Sequence, residues 1–143
     1  MFTTLNKIRS HNPCREGWQK LMKSLGKTRG DDEPVSLLAV LDSNGLDDAI
    51  WCLQAVDGVD SKARLFAVAC AREVQHLLTD PRSLNALDVA ERFAKGFATT
   101  EELAAACAAR DAARDAARNA AYTASAAYAA SVKQEHIFRE IFK

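Results

Sequence analysis

No stretch of the chain supplies the roughly eighteen consecutive apolar residues that a membrane-spanning helix needs. The opening Met1-Phe2-Thr3-Thr4-Leu5-Asn6-Lys7 also lacks the apolar core of a secretory signal, so a cytoplasmic location is expected. Net charge is missing too: 19 Lys and Arg balance 19 Asp and Glu, which disfavours a uniformly basic nucleic-acid binder. Aromatic residues make up only 7%, and glycine and proline only six and three positions. What is present is ordinary for a globular protein, 48% apolar and 27% charged, and excludes global disorder. At 143 residues the chain fits a single helical domain, 1–143, around one core.

Recognisable reaction chemistry is scarce. Cys14, Cys52, Cys70 and Cys107 lie far apart with no C-x-x-C, so each reads as a small buried hydrophobe rather than a disulfide partner or metal ligand. The histidines His11, His76 and His136 are scattered, and Glu73 with His76 is not an H-E-x-x-H pair. There is no G-x-S-x-G, and Leu25-Gly26-Lys27-Thr28 lacks the upstream glycine of a phosphate loop. No catalytic residue, metal ligand or cofactor site is assigned, and the expectation is a protein that is not an enzyme.

The pattern that does recur is helical. Asn12-Pro13, Asp32-Glu33-Pro34 and Asp80-Pro81 each place proline after a capping residue, where its fixed φ suits the first helical position. Trp18, Leu21, Met22 and Leu25 then give a helix over about 13–25, stopped by Gly26, with a shorter one over about 3–10 before it. A short helix is expected after Pro34, one carrying Leu46, Ala49, Ile50 and Leu53, and a longer one over about 61–78. The last of these would bury Leu65, Phe66, Ala69, Cys70, Leu77 and Leu78. Pro81 opens another helix that stops at Gly96, and Thr99 with Glu102 forms a capping box before Leu103. No segment alternates polar and apolar residues long enough to predict a strand. The fold class expected is all-α, a compact bundle of six to eight helices.

One of these helices should be long. From Ala108 to Tyr122 the chain repeats Ala-Ala-Arg-Asp in fours, with i,i+3 ion pairs expected from Asp111 to Arg114 and from Asp115 to Arg118. A continuous helix from Thr100 to about Ser131 would measure roughly 48 Å at 1.5 Å per residue. A compact chain of this size is only roughly 37 Å across, so such a helix must project, bend or meet a partner. Its alanine faces allow close approach, which suggests a homodimer or a self-assembling structural module as well as a plain stabilising helix. Ile137, Phe138, Ile141 and Phe142 end the chain as an amphipathic turn folded back on the core.

The zero net charge divides unevenly. Residues 1–30 hold seven basic residues against Glu16 alone, whereas residues 31–60 hold eight acidic residues and no Lys or Arg. The two blocks could neutralise each other, with Asp32, Asp47 and Asp60 serving as helix caps. Alternatively, the acidic block is a face that captures a protein partner with a basic surface through electrostatic steering. On that reading the partner-binding residues are Asp31, Asp32, Glu33, Asp42, Asp47, Asp48, Trp51 and Asp57, with Trp51 or Trp18 as an aromatic anchor. The basic block could touch phosphate, but no aromatic residue beyond Trp18 is interleaved with its charges, and direct nucleic-acid binding is disfavoured.

Cys14-Arg15-Glu16-Gly17-Trp18, Leu25-Gly26-Lys27-Thr28, Asp31-Asp32-Glu33-Pro34 and the run Asp42 to Trp51 resemble small alanine-rich helical proteins of phages and other mobile elements. Arg64-Leu65-Phe66-Ala67, Ala86 to Glu91, and Thr99 to Leu103 with the alanine tract are similar to an immunity protein family. The resemblance covers residues from about 12 to 130 and brings no catalytic or ligand residues with it. It implies an all-helical inhibitor that works by binding. Its target would be a host defence complex, as for an anti-CRISPR protein, or a toxin for which it provides immunity.

Overall fold

Thr4 ends one element and starts the next. In the computed structural model, which describes residues 1–78, 80–114 and 124–143 and side chains outside 112–132, residues Phe2–Thr4 form a strand, β1. Thr4 then leaves the extended conformation, and its hydroxyl accepts the Lys7 N–H to cap a helix over Leu5–Ser10, α1. Strand β1 pairs antiparallel with Pro34–Ser36, β2, in the register Phe2 to Ser36, Thr3 to Val35 and Thr4 to Pro34. The helix expected to begin at Pro34 therefore begins three residues later. Pro34 sits at the end of a two-stranded ribbon, where its missing N–H costs no ladder bond, and Ser36 supplies the cap to Leu38.

The contacts of the described residues group into two compact units, one of residues 1–59 with 142–143 and the other of residues 60–141. In the first, the ribbon and α1 are joined by α2 (Arg15–Ser24), α3 (Leu37–Asn44), α4 (Leu46–Trp51) and a tight 3-10 turn at Cys52–Ala55. Leu5, Ile8, Leu21, Leu37, Val40, Leu41 and Ala49 are buried here, together with the ring of Phe142. The hydroxyl of Thr3, the one buried polar residue among the described residues, donates to the Ala55 carbonyl and so ties the ribbon to the 3-10 turn. Met1 donates from its ammonium to the Phe142 carbonyl at 2.9 Å. Gly45, at φ +99°, breaks α3 from α4, a conformation that glycine adopts without the steric cost of a Cβ.

In the second unit α5 spans Asp60–Glu73, α6 Pro81–Ala94, α7 Thr100–Arg114 and α8 Ala124–Ile141. Asp80 accepts the Arg82 N–H with Pro81 in the first turn, as the sequence leads one to expect. The capping box is also present: Thr99 N–H donates to Glu102 at 2.8 Å, and Glu102 N–H to the Thr99 hydroxyl at 3.2 Å. Helices α6 and α7 meet through Ala86, Val89 and Ala106, small side chains that permit close approach. Helix α5 packs against α6 and α8, with Phe66 edge-on to Phe138 at 5.4 Å and 85°.

The described residues therefore form an all-α protein of eight α-helices carrying one small ribbon. Several sequence expectations change. The helix predicted over 61–78 stops at Glu73 and is followed by a 3-10 turn at Gln75–Leu77, which leaves Leu77 61% exposed. Asp32 precedes a strand, Asp47 sits in the first turn of α4 behind Gly45, and Asp60 is the first residue of α5. Cys14 is exposed, and its Sγ accepts the Gly17 N–H at 3.3 Å as the cap of α2. Residues 115–123, over which a single helix from Thr100 to Ser131 would have to run, lie outside the described residues. So do the Asp111–Arg114 and Asp115–Arg118 pairs and the alanine surface expected to meet a second copy. Arg110 pairs with Asp111 at 2.7 Å. No described helix is long and apolar enough to cross a membrane.

Candidate functional site

The acidic candidates divide into two sets. Lys27 reaches back from the end of α2 to both Asp31 and Glu33 at 2.6 Å, and Lys7 pairs with Asp57. Those hydrogen bonds, with the Glu33 N–H adding to them, hold the Asp31 carboxyl below its usual range and push the Lys27 ammonium above its own. Asp32 accepts a long bond from the Thr4 hydroxyl at 3.4 Å, and Asp42 is exposed on α3. The basic block thus neutralises part of the acidic block within the first unit.

The second set gathers at a pocket. Trp18 and Leu21 of α2, Val40 of α3, and Trp51 and Cys52 at the end of α4 wall an apolar hollow of about 230 Å³, and Asp47 and Asp48 stand on it. Trp51 is 36% exposed, so part of its indole stands at the open side of the hollow. Small-molecule clefts usually run to roughly 300–1,000 Å³, so this one is of a size for a single inserted side chain. Burial, with a smaller push from the Asp48 charge, raises the Cys52 thiol pKa to about 12 and keeps it protonated at neutral pH.

The pocket depends on residues that sequence reasoning did not single out. Asn44 Nδ2 donates to the Gly17 carbonyl at 2.8 Å and to Asp48 Oδ2 at 2.7 Å, clasping α2 to α4. A Cβ on Gly17 would lie 2.7 Å from that same Asp48 oxygen, so only glycine allows this approach. The asparagine and the glycine lie far apart in the chain and carry no spacing signal. Among the described residues, no three His, Cys, Asp or Glu side chains converge to hold a metal ion. His11, His76 and His136 are all exposed, each on a different element. Comparison with protein-family models, curated proteins and solved structures finds no match for the chain.

Proposed function

We propose that the protein is a non-enzymatic inhibitor that acts by seating a basic side chain of a partner protein in the hollow between α2, α3 and α4. The observation that carries this reading is the pairing of two indoles, Trp18 and Trp51, with two carboxylates, Asp47 and Asp48, around one pocket. An arginine or lysine inserted there lays its aliphatic stem against the indoles and presents its charge to the carboxylates. Trp and Arg are the residues most enriched where interfaces concentrate their binding energy. Of the acidic candidates, Asp47 and Asp48 line the pocket, neither makes an ion pair among the described residues, and Asp48 is held by the Asn44 amide. The resemblance to small phage proteins and to the immunity family supports inhibition as the outcome of binding.

The test is affinity capture with immobilised wild type, Asp47→Lys, Trp51→Ala and an Asp31→Lys/Glu33→Lys control, followed by identification of retained proteins and measurement of Kd. The partner is retained by wild type and control and lost from the two pocket variants. Equal retention on all four discards the reading. The identity of the retained protein, a defence complex or a toxin, separates the two kinds of inhibitor.

A further inference from the structure

A second depression in the first unit shares Pro13 and Trp18 with the first. The end of α1 supplies Arg9, the start of α2 supplies Arg15, and the connection from α2 to β2 supplies Thr28, Arg29 and Gly30. It holds about 450 Å³ and is open and mainly polar. Asn12, at φ +55°, turns the chain between α1 and α2 in the left-handed region that asparagine tolerates, so that Arg9 and Arg15 border the same hollow. Gly30 packs so tightly that a Cβ there would lie 2.9 Å from Asn6 Oδ1 and 3.7 Å from Trp18 Cη2. The connection is thereby pinned against the indole with Arg29 beside it.

The three guanidinium groups are exposed, and none makes an ion pair or a hydrogen bond to a carboxylate among the described residues. The carboxylates nearest to Arg29 in the chain, Asp31 and Glu33, are held by Lys27, and Arg29 adds only a weaker long-range pull on Asp31. Glu16, next to Arg15, does not line the hollow. Three exposed like charges around one concavity, with no carboxylate among its lining residues, make it positive and favour capture of an external anion. Guanidinium forks match phosphate oxygens in pairs, and an indole beside them offers a face to a planar base.

We infer that this depression binds a nucleotide phosphate, with Arg9, Arg15 and Arg29 around the phosphate and Trp18 against the base. The balanced charge of the whole chain conceals the site, because its counter-charges are spent elsewhere. The same chemistry is met in a free nucleotide and in a single strand.

The experiment uses the Trp51→Phe protein, in which Trp18 is the sole indole. Its emission is followed during titration with a short oligothymidylate, thymidine monophosphate, inorganic phosphate and oligoglutamate. Oligothymidylate or the mononucleotide quenches Trp18. For the strand, log K falls with log salt by about 0.7 for each phosphate neutralised. Arg9→Gln, Arg15→Gln and Arg29→Gln each weaken binding by at least about fivefold with the helical circular-dichroism spectrum unchanged. A strand bound more than about tenfold tighter than the mononucleotide identifies single-stranded nucleic acid, and equal binding identifies a nucleotide. The inference is overturned by absence of quenching, by a triple glutamine variant that binds as wild type, or by oligoglutamate binding as well as the nucleotides. Trp18 also walls the first hollow, which Arg9, Arg15 and Arg29 do not line, so quenching that the glutamine variants leave unchanged is assigned to the Asp47 and Trp51 pocket and overturns the inference.

Discussion

Asn44 donates its side-chain amide to the Gly17 carbonyl at 2.8 Å and so locks the first turn of α2 to the end of α3. Its second bond, to Asp48, makes Gly17, Asn44 and Asp48 one mechanical joint behind the pocket. Asp48 therefore has a structural duty besides any it has toward a partner.

That joint predicts a sign reversal. Gly17→Ala ought to strengthen a helix by up to about 1 kcal/mol on propensity alone. Here the new Cβ displaces Asp48 and strains the Asn44 clasp, and the variant is instead destabilised by about 1–2 kcal/mol in urea unfolding. In an Asp48→Ala background the 2.7 Å obstacle is gone and Cys14 Sγ at 3.1 Å is the tight neighbour left, so adding Gly17→Ala costs markedly less. A double-mutant cycle gives the coupling directly.

The thiols should react in order of exposure. Cys14 is exposed, whereas Cys52 is buried with its pKa pushed up to about 12. A thiol reagent at neutral pH labels Cys14 in the native protein and reaches Cys52 only on unfolding, which peptide mapping after timed quenching resolves. Cys14→Ser removes the fast site and, with serine a better helix cap, raises stability by about 0.5 kcal/mol.

Acid should loosen the connection between α2 and β2 through Asp31. The native carboxyl, depressed by Lys27, takes up its proton only below the 3.8 of the unfolded chain. The unfolded state then binds more protons across that window, so the contribution is full above it and disappears as pH falls through the native pKa. Asp31→Asn flattens the acid limb of the stability curve. Lys27, with its pKa raised above 10.5, mirrors this at high pH: its contribution is lost as pH rises past the native value. Thermal unfolding across pH, compared between wild type and Asp31→Asn, checks both limbs.

In the second unit the edge-on pair of Phe66 and Phe138 carries the seam between α5 and α8. Phe138→Ala leaves a hole at a fully buried position and costs about 3–5 kcal/mol, whereas Phe138→Leu costs markedly less. Chemical denaturation followed by circular dichroism measures both.

Local signals were legible where one stretch of chain contains all the partners. Thr99 with Glu102 and Asp80 with Pro81 are caps closed within four residues, and both form as read. The β1–β2 ribbon has strands of three residues, too short for alternation to register, and its partners stand 34 positions apart at Phe2 and Ser36. Pro34 was misleading because a proline that suits a helix start suits the end of a ribbon equally. Cys14 was misread for a related reason: its spacing is that of a buried hydrophobe, but its sulfur is used as a cap. Of the eight acidic and aromatic candidates, Asp47, Asp48 and Trp51 share one helix and were bound to stay together. That Lys27 would claim Asp31 and Glu33, or that Arg9, Arg15 and Arg29 would border one hollow, depends on turns that only the folded chain reveals.

The ring of Phe142 fills the core of the unit otherwise built from residues 1–59. During translation, which proceeds at about 5–20 residues per second, those fifty-nine residues emerge long before the ring that completes them. Of the two units, the one whose residues are mostly made earlier is thus completed only after the other's residues have been made. A ribosome stalled anywhere in the second unit displays a nascent chain whose leading segment still has an apolar gap.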